Sequence, residues 1–218
     1  MNFEQVILKL RHNEPFHLSR WGDGEFLCML GAKGHNCDGH DYTDELSHEL
    51  YKFWTRIDQS EPHQFNLVQP HAIRTVEGIE NLLNGRQFDS SDLFVSASQR
   101  GELGKLFAAI QDKYVILVAP KRFEDWDLFK VAEHIVIPDK NCFESYEETR
   151  ESVHNALLRN YEMGKTLVVL YCAGMMSNCI IGHQARNVFH IDLGSVLEPY
   201  IGHSNRKYHT EIIEKLKS

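Results

Sequence analysis

The stretch FHLSRWGDGEF, residues 16–26, contains the pattern from which the prediction of the fold begins. Phe16 and Leu18 alternate with polar neighbours, a pattern typical of a half-buried strand. Gly22 and Gly24 follow at once, so the strand runs into a tight turn. The residues after the turn then start a helix, which makes the stretch a strand–turn–helix unit.

Apolar, β-rich runs alternate with helical patterns along the rest of the chain. The predicted strands are 16–20, 65–69, 93–98, 114–119, 134–138, 166–172 and 187–193, and the predicted helices are 2–12, 44–57, 72–83, 101–112, 146–162, 176–186 and 205–217. The run 167–172 is continuously apolar, as strands buried on both faces are. The alternation predicts an α/β fold, Rossmann-like, with a largely parallel sheet flanked by helices, in a single domain of residues 1–218.

The first turn carries two acids, Asp23 and Glu25, within five residues of Arg20. Carboxylates this close repel one another unless a positive group lies between them. Hard divalent cations such as Mg²⁺ or Mn²⁺ take oxygen ligands and often bridge phosphates, and an arginine binds phosphate or carboxylate oxygens. Because ligands of parallel α/β sheets bind beyond the carboxyl ends of the strands, the turn predicts a ligand site.

Two further strand-to-helix loops are candidates for the same site. In 137–148, Lys140 and Asn141 could contact phosphate or a base, and Tyr146 could stack on a ring; a plain loop before a helix is the alternative. In 171–184 a strand meets a helix at Gly174, but neither a dinucleotide-binding glycine fingerprint nor a P-loop is present.

The final loop supplies candidates for proton transfer. Asp192 ends a predicted strand, and it could hold a metal or a hydroxyl, or only cap a turn. Glu198 and His203 follow it, and any of the three could act as a base. The serine nucleophile motif G-x-S-x-G is absent.

The segment GHNCDGHD, residues 34–41, suggests zinc through His35, Cys37 and His40. A structural zinc site usually has four ligands with a second pair farther along the chain, and no such pair stands out. With 13 histidines in the chain, clustering by chance is expected, so a solvated loop beside the ligand site is the favoured interpretation.

Composition limits the class of protein. The 218 residues are 42% hydrophobic and 25% charged, which is ordinary for a soluble globular protein. The net charge of −8 disfavours binding to nucleic acid through its phosphates, although a local basic patch remains compatible with it. The chain has five cysteines without a CxxC pair, no membrane-spanning run and no signal peptide, so we expect a cytoplasmic protein with reduced thiols.

Taken together, these segments resemble the GT-D fold glycosyltransferases, a family first known as a domain of unknown function in bacterial glycan-assembly enzymes. The family signature R-[FW]-G-D-G-E-[FL] is matched by residues 20–26. Its proline-to-tyrosine loop is matched by IPDKNCFESY at 137–146, and its last strand and D-[IL]-G segments by VVLYCAG at 168–174 and IDLG at 191–194. Ser195 stands where the family usually has histidine, so the acceptor side is expected to differ.

The resemblance implies a GT-D type fold and a metal-dependent transferase. The donor would be a UDP-sugar, carrying glucose or another hexose, and Asp23 and Glu25 would hold Mn²⁺ or Mg²⁺ and the diphosphate. Asp192 and Glu198 join these two acids as candidate catalytic residues. The other candidate donor-binding residues are Arg20, Trp21, Gly22, Gly24, Lys140, Asn141, Tyr146 and Gly174.

The acceptor hydroxyl would belong to a glycan, a glycoconjugate or a modified nucleobase, and the acidic charge disfavours DNA. Two other functions stay open. A metal-dependent phosphohydrolase could use the same acids if Asp38, Asp41 and Asp192 converge on Asp23. A nucleotide-binding protein without catalysis is the third hypothesis.

Overall fold

The structure is a computed structural model that describes residues 1–161, 164–184 and 187–217. Its strands are β1 (His17–Trp21), β2 (Gln64–Val68), β3 (Tyr114–Pro120), β4 (Glu133–Ile137), β5 (Leu167–Tyr171) and β6 (Phe189–Asp192). These strands form one sheet in the order β2-β1-β6-β5-β3-β4, and every neighbouring pair is parallel. The predicted α/β architecture with a parallel sheet is confirmed.

Helices cover both faces of this sheet. They are α1 (Phe3–Arg11), α2 (Asp23–Met29), α3 (Asp44–Thr55), α4 (Pro70–Thr75), α5 (Ile79–Leu83), α6 (Leu93–Gln99), α7 (Gly104–Ile110), α8 (Tyr146–Tyr161), α9 (Met176–Ile181) and α10 (Lys207–Lys217), with 3₁₀ turns at Lys121–Phe123, Cys142–Ser145 and Glu198–Ile201. Within the described ranges, no helix combines the length and the apolar character needed to cross a bilayer.

Alternate residues of the central strands enter two separate cores. Ile116 and Val169 lie in the core beneath α2, α3, α8 and α9, whereas Val115 and Leu170 lie in the core beneath α1, α6 and α7. Strand β1 is buried on both faces as well, since even His17 is only 8% exposed. The half-buried strand expected from the alternation at 16–20 is therefore wrong in its exposure, because β1 lies inside the sheet.

One predicted strand is a helix. Residues 93–98 lie in α6, where Phe94, Ala97 and Ser98 are buried. A spacing of three and four residues brings these side chains to one helix face, and Phe94 packs edge-on against Phe3 of α1. The short apolar run fits both the two-residue period of a strand and the 3.6-residue period of a helix. Its packing against α1 explains why it forms a helix.

The helix predicted at 72–83 is two separate helices in the structure. Helix α4 ends at Thr75 and α5 begins at Ile79. Gly78 lies between them with φ +82°, a left-handed conformation that ends a continuous helical path. The helix predicted at 176–186 ends at Ile181, and the last two residues of that prediction lie outside the described residues.

Helix α3 packs against α9 through a contact that only glycine permits. Gly182 caps the carboxyl end of α9, and a Cβ built on it would overlap the ring of Phe53 in α3. Phe53 is itself buried, and its ring lies edge-on to His183 at a centroid distance of 4.6 Å. The small residue therefore sets how closely the two helices approach.

We expect Gly182→Ala to destabilise the fold by about 1–3 kcal/mol, the usual cost of overpacking a close contact. Gly104→Ala is the matched control, because Gly104 is exposed at the start of α7 and a Cβ there would meet nothing within 4 Å. Urea denaturation of both variants measures the difference. Equal free energies of unfolding in the two variants would contradict the proposed contact.

Candidate functional site

A cavity of about 510 Å³ lies at the carboxyl edge of the sheet. Its volume is in the range of small-molecule sites. The segments that follow all six strands line it: Asp23 after β1, Gln69 after β2, Arg122 after β3, Lys140 after β4, Gly174 after β5 and Ser195 after β6. The position agrees with the rule that parallel α/β sheets bind ligands beyond their carboxyl ends.

The turn after β1 forms the acidic wall of this cavity. Asp23 is the first residue of α2, and Glu25 turns back so that its Oε2 accepts from the backbone N–H of Gly22 at 2.9 Å. Gly24 is buried, with Met175 close to where a Cβ would lie. Among the described residues, the Asp23 carboxylate has no hydrogen bond or ion pair, so its oxygens are available to a ligand.

Burial raises the pKa of three further acids of the cavity. Burial raises the pKa of Glu25 to about 7, against the opposing effect of the Gly22 N–H and with a smaller repulsion from Asp192. Burial also raises the pKa of Asp192 to about 6, although Arg20 and the Gly194 N–H favour its charged form. The pKa of Glu198 is raised for the same reason. A cation in this cavity would favour the charged forms of these groups.

Basic side chains face these acids. The Nη1 of Arg20 donates to the carbonyl of Leu193 at 2.7 Å, and Gly194 has no Cβ that would collide with that nitrogen. Arg122 is paired with buried Glu198 at 2.5 Å and also with Asp139. The cavity thus holds side chains of both signs, which suits a ligand carrying phosphate together with a cation.

The loop 34–41 closes one side of the cavity, and the segment before α10 holds it there. Arg206 pairs with Asp38 at 2.5 Å and donates to the Sγ of Cys37 at 2.7 Å. Asn205 donates to the same Asp38 carboxylate at 3.3 Å. These contacts join a loop from the first quarter of the chain to its last segment across the cavity.

The zinc interpretation of this loop receives no support. Cys37 contacts Arg206, whereas His40 is buried beside Cys142, and no group of three or more histidine, cysteine or acidic side chains in the described parts of the chain is arranged to hold a metal. The favoured interpretation, a loop beside the ligand site, agrees with the position of the loop in the cavity wall.

Most of the predicted site residues converge on this cavity. Its lining includes Arg20, Gly22, Asp23, Gly24, Glu25, Lys140, Gly174, Asp192, Glu198 and His203. The carboxyl-end rule explains this convergence, because these residues lie at the end of a strand, follow a strand, or belong to the segment after β6 that folds back over the strand ends.

Three predicted donor-binding residues lie elsewhere. Trp21 is 1% exposed and packs against Trp54, because it is the last residue of β1 and faces the core. Tyr146 is buried at the start of α8 and stacks on Phe143. Asn141 exchanges two hydrogen bonds of 2.8 Å with Asp41, one from its amide and one to its carbonyl, so it fixes the loop and does not line the cavity.

Sequence reasoning missed several residues of the cavity wall. Arg122 lies just after the carboxyl end of β3, so the carboxyl-end rule could have found it. Arg206 had no such signal, since its place depends on how the last segment folds back. His40 was considered only as a zinc ligand, yet it lines the cavity.

Solved structures share this fold. Two structures of the domain of unknown function 1792, one described as having a distinct glycosyltransferase fold, match with TM-scores of 0.67 at 18% and 17% identity, over 92% of this chain and 79% of theirs. A structure described as a new glycosyltransferase from Streptococcus sanguinis matches with a TM-score of 0.63 at 16% identity, over 94% of this chain and 85% of its own. No family model and no curated protein matches the sequence. The GT-D type fold implied by the motifs is confirmed.

We expect Asp192→Asn to remove part of the pH dependence of stability. Between pH 4 and 6 the folded protein keeps a proton on Asp192 that the unfolded chain releases, because its pKa is raised from 3.8 to about 6. Below pH 4 Asp192 therefore does not lower the free energy of unfolding. As the pH rises from 4 to 6, the unfolded chain releases this proton before the folded protein does, so the free energy of unfolding falls. The variant should gain about 2–3 kcal/mol relative to the parent across that window.

Chemical denaturation at several pH values measures this gain. Asparagine keeps a carbonyl that can accept from the N–H of Gly194, so the local turn is preserved. Parallel stability curves for the parent and the variant from pH 4 to 7 would show that Asp192 is not a protonated buried acid.

Proposed function

We propose that the chain is a metal-dependent glycosyltransferase that moves glucose or another hexose from a UDP-sugar to an acceptor hydroxyl. One observation carries the proposal: the acids of the RWGDGE turn share one cavity with Arg20, Arg122 and Lys140 at the carboxyl ends of the strands, in a fold described in glycosyltransferases. Glycosyl transfer expels a nucleoside diphosphate, so the active site must stabilise the negative charge of this leaving group.

The residues present fit a divalent cation together with a diphosphate. Asp23 has free oxygens, and Glu25 is a carboxyl that a bound cation would help to ionise. No third acid, histidine or cysteine of the described residues completes a metal site, which suits Mg²⁺ or Mn²⁺, since such ions use one or two carboxylates, water and substrate phosphates. When bound, the ion would neutralise charge on the departing diphosphate.

The chain's own basic groups supply the rest of the charge balance. Arg20 is anchored to Leu193 and keeps a guanidinium at the cavity wall, where it can bind a phosphate oxygen. Lys140 lies on the loop after β4 beside Gly39 and can reach the same leaving group. Both would stabilise the transition state more than the bound donor, because charge on the diphosphate grows as the glycosidic bond breaks.

The phosphohydrolase alternative is less well supported. A two-metal site needs several carboxylates around Asp23. Asp38 is paired with Arg206, and Asp41 exchanges hydrogen bonds with Asn141, so neither is free to join a second metal. Donor turnover separates the remaining alternative, a nucleotide-binding protein without catalysis, from the proposed enzyme.

We infer a glycan or glycoconjugate as the acceptor, because the net charge of −8 disfavours a DNA acceptor. We also place the protein in the cytoplasm. All five cysteines are free thiols, as expected where thiols stay reduced.

We expect Asp23→Asn to weaken Mn²⁺-dependent UDP binding by at least the 10- to 100-fold that loss of a supporting metal contact usually costs. The amide keeps the size of the side chain and removes its charge. Isothermal titration with UDP, with and without Mn²⁺, measures the effect.

Asp44→Asn is the matched control for this variant. Asp44 is likewise the first residue of a helix, α3, but its side chain is 96% exposed outside the cavity. Both variants lose the same helix-terminal charge, and the exposed ion pair of Asp44 with Lys33 at 3.6 Å lies outside the cavity, so only Asp23→Asn is expected to affect a metal contact. Equal UDP affinities in the two variants would remove Asp23 from the proposed site.

We expect Arg20→Lys to lower kcat/KM for a UDP-sugar by about 10- to 150-fold, which corresponds to the 1.5–3 kcal/mol of a charged hydrogen bond. Lysine keeps the charge but cannot hold the Leu193 carbonyl and a phosphate with one planar group. Steady-state kinetics compares it with Arg100→Lys, since Arg100 pairs with Glu102 away from the cavity. Near-parental kcat/KM for both variants would assign Arg20 a purely structural role.

A further inference from the structure

A second, smaller pocket adjoins the cavity and is mostly apolar. Its volume is about 260 Å³, and Leu46, Phe143 and Met176 form its apolar wall. It shares His40, Cys142 and Met175 with the main cavity, so the two spaces are separated only by these side chains. We call this smaller space the side pocket.

His40 stands at the junction with a defined orientation. The thiol of Cys142 donates to the carbonyl of Ala173 at 3.1 Å, which leaves its sulfur lone pairs to accept. The Nδ1 of His40 lies 3.9 Å from that sulfur, and we assign the imidazole proton to Nδ1, because the thiol proton is already donated to Ala173. Nε2 is then the unprotonated nitrogen, and no described side chain donates to it.

Gly174 leaves this nitrogen uncovered. Gly174 has φ +52°, and a Cβ built on it would lie 3.2 Å from Nε2 of His40. Any larger residue would press on the imidazole and cover the atom that can take a proton. The glycine that the sequence offered as a donor-binding residue therefore has a second use, which is to keep Nε2 open.

The surroundings keep the imidazole neutral. Burial lowers the pKa of His40, and Arg122 lowers it further, while Asp38 and Asp41 of its own loop oppose the shift. Two further cations contact this loop: Lys140 packs beside Gly39, and Arg206 pairs with Asp38. A neutral imidazole with a free Nε2 can accept a proton at neutral pH.

We propose that His40 is the general base of the transfer and that the side pocket holds the acceptor, with its reacting hydroxyl at Nε2. The inference rests on the proposed function. The acceptor oxygen forms a bond to the sugar C1 as the bond from C1 to the diphosphate oxygen breaks. The hydroxyl proton goes to Nε2, and the nucleoside diphosphate leaves with the electron pair of the broken bond.

The side pocket also indicates the class of acceptor. A hydrophobic group would displace water from Leu46, Phe143 and Met176, whereas Glu45 and Glu144, which also line the pocket, can accept from hydroxyl groups. The acceptor is therefore a hydroxyl compound with an apolar or aromatic group beside the reacting hydroxyl, such as an aryl or alkyl glycoside.

Transfer from a UDP-sugar to p-nitrophenyl glucoside, measured for the parent, His40→Gln and His35→Gln, tests the proposal. Loss of a general base lowers kcat by about 10²- to 10⁴-fold, and we expect His40→Gln to do so without a change in UDP affinity. His35→Gln is the matched control, because His35 lies exposed on the same loop and does not line the cavity. A kcat for His40→Gln equal to that of the control would overturn the assignment.

Two readouts separate a base from a structural residue. His40→Ala leaves an imidazole-sized space beside Gly174, so added imidazole should restore transfer in that variant and not in His40→Gln. Nitrogen NMR of histidine-labelled protein, assigned by the signal missing in His40→Gln, should show His40 as the Nδ1–H tautomer. Failure of rescue, or the Nε2–H tautomer, would overturn the role of His40.

The acceptor class has its own comparison. We expect higher kcat/KM for p-nitrophenyl and octyl glucosides than for free glucose, and Phe143→Ser should reduce that preference. Equal kcat/KM for all three acceptors would overturn the side-pocket assignment. If the parent binds no UDP with Mn²⁺ and turns over no UDP-sugar, the proposed function itself is wrong. If the parent is active and His40→Gln has the same activity, only the assignment of His40 is wrong.

Discussion

Strands β1 and β6 pair over only two residues, His17 with His190 and Leu18 with Ile191, and the site depends on where this pairing stops. Strand β1 stays paired with β2 over five residues, and β6 stays paired with β5 over four, so β1 and β6 separate from each other toward their carboxyl ends. Arg20 bridges the opening through the Leu193 carbonyl, and Asn178 donates to the carbonyl of Arg20 at 2.8 Å. The gap between the strands is therefore a ligand cavity with fixed walls.

The cavity is electrostatically costly in the absence of a ligand. Glu25, Asp192 and Glu198 are carboxyls whose pKa burial raises, and a core made only for stability would hold apolar side chains there. Each acid nevertheless has an anchoring contact: Gly22 N–H for Glu25, Gly194 N–H for Asp192 and the Arg122 guanidinium for Glu198. These contacts fix the orientation of the acids, and buried acids with raised pKa values in a cleft are typical of a binding site.

The sequence predicts the sheet and most of the cavity because both follow from local rules. Gly22 and Gly174 mark the ends of two strands. In a parallel sheet these ends lie at the same edge, so the residues beside both glycines line the cavity. These local rules fail where a contact between distant parts of the chain determines the local structure. Residues 93–98 are helical because α1 packs on them, and Trp21 turns to the core because of its place in β1. Arg206 reaches Asp38 through a fold-back that no local pattern specifies.

The position of β6 has a consequence for how the protein is made. β6 is the last of the described strands along the chain, yet it lies between β1 and β5 in the sheet, so bonded Arg20 and Leu193 are 173 residues apart. On the ribosome, β1 has an open edge on this side until β6 has been synthesised. Unpaired edges of apolar strands associate with other chains, and contacts this distant form slowly. The late insertion that creates the cavity therefore leaves the nascent chain open to aggregation and to capture by chaperones until β6 closes the sheet.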